Sequence, residues 1–137
     1  MSRGFVTLGI NTERDQLQYN YALACSIKKC DPNAEVCLVV DKGKLDDVPE
    51  KYQHVFDYVT ELRFGNTAHI DGFHGMNLWQ MFHCSPFDET IYLDNDILFQ
   101  NVNIDILWLE ILGILLQTKL ESLKLNHIMG YQTIIVI

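Results

Sequence analysis

From its residues alone this chain should fold as α/β, with a mostly parallel sheet flanked by helices. Three observations carry that expectation. Short β-branched apolar runs alternate with a helical pattern at the start of the chain, as in a strand–helix–strand unit. The second run, Glu35 to Asp41, is almost continuously apolar, as a strand buried on both faces should be. A third buried run ends abruptly on Asp94-Asn95-Asp96, which puts polar chemistry where a strand leaves the core.

The elements follow in order. Gly4 to Ile10, GFVTLGI, reads as the first strand. Asn11-Thr12 then offers side-chain oxygens able to cap a helix. Gln16 to Lys29 places Leu17, Tyr21, Ala24 or Cys25, and Ile27 or Lys28 at helical spacing, which predicts a helix with one apolar face. Asp31-Pro32-Asn33 is a turn, and Glu35 to Asp41 the second strand. Parallel strands need such a crossover. Lys42 to Lys51 is charged and holds Pro49, so it should be a loop or the start of a short helix. A third strand is expected near Tyr58–Leu62, and Gly65 to Gly75 reads as loop. Met76 to Phe82 should be a helix with Leu78, Trp79 and Phe82 on its buried side. Ser85 to Glu89 turns the chain into the strand Thr90–Leu93, expected beside the first. Leu107 to Leu125 is rich in Leu and Ile and reads as a helix. The closing run Thr133 to Ile137 is either a last strand or the mark of a fragment or altered end.

The chain has 137 residues, room for one core of ordinary size. It is 48% hydrophobic and 20% charged, a globular composition. Ten basic residues against eighteen acidic ones give a formal charge of −8. That argues against nucleic acid and anionic membranes as partners, since both need Lys and Arg. A phosphate-bearing ligand would need a cation between it and the protein. The N-terminus lacks the apolar core of a signal peptide. No run of about 18 apolar residues is present, so no transmembrane segment is expected. Cys25, Cys30, Cys37 and Cys84 form no CxxC pair and read as buried free thiols in a reducing, cytoplasmic setting. GxGxxG, a Walker lysine and Gly-x-Ser-x-Gly are all absent, which leaves dinucleotide, P-loop and serine-hydrolase readings without support.

Asp94 and Asp96 hold the chemistry. Eleven aspartates in this length give roughly one Asp-x-Asp by chance, so position is what counts. Ligands of open α/β sheets bind beyond the carboxyl ends of the strands. Two carboxylates there are hard oxygen ligands for Mn²⁺ or Mg²⁺, and a metal offsets the cost of charge near a core. If the strand alternation continues, Asp94 and Asp96 share a face and Asn95 points away. His69, His74 and His83 match no zinc spacing and read as loop or core residues. Trp79, Phe82, Phe87 and Tyr92 read as core aromatics, and Lys42, Lys44, Asp46 and Asp47 as a solvated loop.

The run Ser85-Pro86-Phe87-Asp88-Glu89-Thr90-Ile91-Tyr92-Leu93-Asp94-Asn95-Asp96 resembles the DxD region of nucleotide-sugar glycosyltransferases, the family 8-like enzymes above all. The first strand, first helix and second strand fit the same pattern, and the resemblance covers about residues 4–108. It implies a GT-A-like (Rossmann-like) nucleotide-sugar-binding domain over residues 1–108, incomplete at the C-terminus, with a tail of uncertain structure over 109–137. It also implies sugar transfer from a nucleoside-diphosphate sugar, UDP-sugar favoured, to an unknown acceptor. Gly9, Asn11 and Thr12 would lie near the base and ribose, with Asp94 and Asn95 also at the nucleotide. Asp94 and Asp96 would hold the divalent metal. Two departures stand out. Those enzymes commonly carry a basic residue in the helix before the motif, and residues 75–81 have none. Their acceptor half and third metal ligand lie far beyond it, whereas His127-Ile128-Met129-Gly130 is a small match at too short a spacing. The alternatives are a truncated or degenerate GT-A domain without activity and, less favoured, a Mg²⁺-dependent Asp-x-Asp phosphatase.

Overall fold

The computed structural model describes residues 2–9, 17–65, 78–122 and 133–136; from residue 115 on, and at residue 112, only the backbone is described. Five strands form one sheet: β1 (Arg3–Gly9), β2 (Glu35–Val40), β3 (Tyr58–Glu61), β4 (Glu89–Tyr92) and β5 (Thr133–Val136). Their order is β3-β2-β1-β4-β5, and every neighbouring pair is parallel. The helices are α1 (Leu17–Cys30), α2 (Glu50–Gln53), α3 (Met81–Cys84) and α4 (Ile104–Ser122). The expected α/β fold with a parallel sheet is therefore present, and β4 lies beside β1 as anticipated.

Strand alternation sorts the apolar residues onto two faces. Phe5, Val36, Leu38, Val40, Ile91 and Leu93 pack with Leu17, Leu23, Ala24 and Ile27 of α1 and Ile104, Trp108 and Ile111 of α4. Val6, Leu8, Cys37, Val39 and Tyr92 face the other way, onto Met81, Cys84 and Phe87. Burial on both faces explains why β2 reads as an unbroken apolar run.

Several expectations are corrected. The inward stripe of α1 is Leu17, Asn20, Leu23, Ala24 and Ile27. Tyr21 is half-buried instead, its ring 5.1 Å from that of Tyr52. Cys37 and Cys84 are buried free thiols, but Cys25 and Cys30 are only half-buried because they sit at the margins of that stripe. The segment before the motif strand is a short 3₁₀ turn over 78–80 running into the single turn α3. Trp79 and Phe82 are exposed, not core; Gln80, Met81 and Cys84 face inward. The physical cause is Gln80. Its side chain accepts the Phe64 N–H at 2.9 Å and donates to the Gly65 carbonyl at 2.8 Å, which draws position 80 inside and turns 79 and 82 outward.

The helix after the motif begins at Ile104, where the Asn103 side chain caps it by accepting the Ile106 N–H at 3.2 Å. It runs through residue 108 without a break. The Thr133 run is a strand, paired with β4. No described helix is long and apolar enough to cross a membrane. The expected loop beyond Gly65, with His69 and His74, lies outside the described residues, as does His127 to Gly130.

Candidate functional site

The site forms where β1 and β4 part. Their last paired residues are Val6 and Tyr92, and the Leu93 N–H still reaches the Val6 carbonyl at 2.9 Å. Val6 therefore points its backbone groups at β4, and so does Leu8, two residues on. Among the described residues, the β1–β4 pairing ends before Leu8. The Leu8 carbonyl is taken by the Asn20 side-chain amide of α1 at 3.1 Å, and the same amide donates to Thr7 Oγ1 at 2.8 Å. A gap thus opens between two parallel strands whose connections leave in opposite directions along the sheet. Such a switch point is the usual ligand crevice of an open α/β sheet.

Asp94, Asn95 and Asp96 stand on the β4 side of that gap. They are not strand residues: β4 ends at Tyr92, and Asn95-Asp96 form a turn. The expectation that alternation continues through the motif is corrected accordingly. Among the described residues, no neighbouring strand pairs with the chain beyond Leu93. Asp94 Oδ1 accepts the N–H of Asn95 at 2.9 Å, which ties one carboxylate oxygen to the turn and leaves the other for a further partner. Both aspartates are exposed, while Asn95 is half-buried. The cost of burying charge is thereby avoided without a metal. The Tyr92 phenol responds to this corner. Burial raises its pKa, and the negative charge of Asp94 raises it further.

Gly9 ends β1 on the opposite side of the gap. A Cβ there would meet Leu17 Cδ2 at 2.7 Å and Leu38 Cδ1 at 2.8 Å, so close packing of α1 already requires glycine. Gly9 at the end of β1, and Asp94, Asn95 and Asp96 just past the end of β4, thus lie at the carboxyl ends of adjacent strands. Asn11 and Thr12 lie outside the described residues. His83 is exposed and packs edge-on to Phe64, with ring centroids 5.1 Å apart. Among the described residues, no group of three or more His, Cys, Asp or Glu side chains could hold a metal ion. The donor set is two carboxylates. That suits Mg²⁺ or Mn²⁺, which are held by one or two carboxylates with water and substrate phosphates completing the shell.

Two hollows of the described surface lie elsewhere. One of about 900 Å³ is lined by Lys29 to Asn33 and Phe99 to Asp105, and one of about 610 Å³ includes Ser2, Arg3 and Glu35. Both open at the amino edge of the sheet, away from the two aspartates, and topology and donor chemistry outweigh volume here. Asn20 is the residue that sequence reasoning passed over. It is fully buried, and its Oδ1 has no hydrogen-bond partner among the described residues. The signal was an amide three residues from both Leu17 and Leu23, in line with the apolar stripe.

No protein-family model matches the chain, and neither a curated protein nor a solved structure matches it.

Proposed function

We propose that the chain is a GT-A-type domain that transfers a sugar from a nucleoside-diphosphate sugar, UDP-sugar favoured. One observation carries the reading: an Asp-x-Asp turn leaves a central parallel strand at the β1/β4 switch point. Asp94 and Asp96 would hold Mn²⁺ or Mg²⁺, the metal bridging an acidic protein to a diphosphate. Once bound, such an ion neutralises charge on the departing nucleoside diphosphate. The chain's own part is orientation. The Asn95 N–H fixes Asp94 Oδ1, so the remaining carboxylate oxygen has a defined direction. Asn20 holds the end of β1 against α1, keeping the opposite wall of the crevice in place.

A second reading is a truncated or degenerate GT-A-type domain without activity, one that binds nucleotide weakly or only folds. It is favoured by the segment 78–84, LWQMFHC, which carries no Lys or Arg to meet the nucleotide. Calorimetry with UDP, GDP, CDP and ADP, each with Mn²⁺, tests both readings. Saturable heat with UDP that vanishes under EDTA is expected. Silence with every nucleotide in a folded sample would sink the transferase and favour the degenerate domain. Mn²⁺-dependent hydrolysis of UDP-sugars then separates a transferase from a domain that only binds.

A further inference from the structure

At the far corner of the same carboxyl edge, past the end of β3, aromatic rings face solvent. Phe64 and Trp79 stack with centroids 5.3 Å apart and planes 17° apart. They are 46% and 48% exposed. His83 stands edge-on to both, and the Arg63 guanidinium lies 5.9 Å from the centre of the Phe64 ring. Phe82, 45% exposed, is three residues along the helix from Trp79 and shares its side. The pair is not a loose surface accident. Gln80, fully buried, spends its side-chain amide on the backbone of Phe64 and Gly65, which locks the two ring-bearing segments together. Leaving large rings in water forfeits burial energy, while a buried amide is committed to holding them there.

We propose that this aromatic face is a stacking platform for a pyranose ring of a neutral saccharide. The negative π face of a ring attracts the weakly positive C–H groups on the flat side of a sugar. Arg63 and His83 at the rim offer polar groups to its hydroxyls. The alternatives fit less well. Three half-exposed rings present about 100 Å² each, far below the roughly 800 Å² per partner of a stable protein interface. A chain of net charge −8 is a poor site for a nucleic acid strand. The corner carries charges of both signs: Arg63 over the Phe64 ring and Lys42 against Gly65 are basic, and Glu61 at the end of β3 is acidic. A neutral ligand meets no penalty there.

The chain contains two tryptophans, and Trp108 is only 3% exposed, so Trp79 dominates quenching by acrylamide. The full chain is applied to an array of neutral glycans, and the retained glycan is then titrated while quenching is followed. Neither metal nor nucleotide enters the assay, so its failure is distinct from failure of the nucleotide reading. Retention of a glycan, with Trp79 shielded at saturation, is expected. Trp79→Ala should weaken retention by roughly tenfold and Trp79→Phe by less, with unchanged thermal unfolding. Any of three results overturns the proposal: no neutral glycan retained, retention unchanged in Trp79→Ala, or shielding of Trp79 by UMP alone.

Discussion

At the residue scale, the two aspartates are unequal. Asp94 is tied to the turn by the Asn95 N–H, whereas Asp96 is exposed at the turn itself. Asp96 should therefore be the more direct metal ligand, and Asp94 should also serve the ribose. Asp96→Asn is expected to weaken Mn²⁺-dependent UDP binding by on the order of 10–100-fold, as loss of one of few carboxylates does. Its fold should be unaffected, because an exposed carboxylate contributes little to stability. Asn95→Ala should cost much less, since the hydrogen bond to Asp94 comes from the backbone and survives. Calorimetry on the three proteins checks the order. Binding of Mn²⁺–UDP by Asp96→Asn at parental strength would mean that the pair is not a metal site.

At the element scale, β1 is shaped by what lies against each end. Gly4 admits the Phe87 ring, and a Cβ at that position would collide with it. Phe87 is 1% exposed and cannot swing outward cheaply, with the Tyr58 ring 5.5 Å away on its other side. Gly4→Ala is thus expected to destabilise the protein by about 1–3 kcal/mol through overpacking. Adding Phe87→Leu should recover part of that loss, because the two positions share one space. Urea midpoints of the single and double variants measure the coupling, and strictly additive losses would refute it. The same reasoning explains α3. Its apolar letters suggested that Trp79 and Phe82 point inward, but a one-turn helix has no stripe long enough to fix its rotation. The amide of Gln80 decides it instead.

At the scale of the whole molecule, burial of acids sets the alkaline limit. Burial pushes the Cys37 thiol up to about 12 from its ordinary 9.0; the Thr60 contact lowers it, and the charge of Cys84 raises it. The Tyr92 phenol is raised by burial and by Asp94. Between about pH 9 and about pH 12 the unfolded chain loses a proton from position 37 that the folded chain keeps. The unfolded state then binds fewer protons, so stability falls as pH rises through this window and is fully present below it. Cys37→Ala should flatten the decline. Urea midpoints from about pH 8 to about pH 11 check this, and equal slopes for parent and variant would refute it.

The sequence by itself determined the parallel α/β character, the places of β1, β2 and β4, and the position of Asp94 and Asp96 at a strand end. Those properties follow from local apolar runs and from the 2.0 and 3.6 periodicities, which need no partner to be read. Tertiary structure alone decided the rest. The order β3-β2-β1-β4-β5 depends on which edges meet, and no local pattern encodes it. The motif turned out of the strand where, among the described residues, pairing with the neighbouring strands ends. Asn20 moved from an ordinary helical residue to the wall of the crevice because β4 departs and leaves the Leu8 carbonyl to be satisfied. Trp79 came to face solvent because Gln80 found its hydrogen bonds on a segment fifteen residues earlier. The last two outcomes rest on a polar group, Asn20 or Gln80, completing its bonds with a distant part of the chain, and distance in space is what the order of residues does not record.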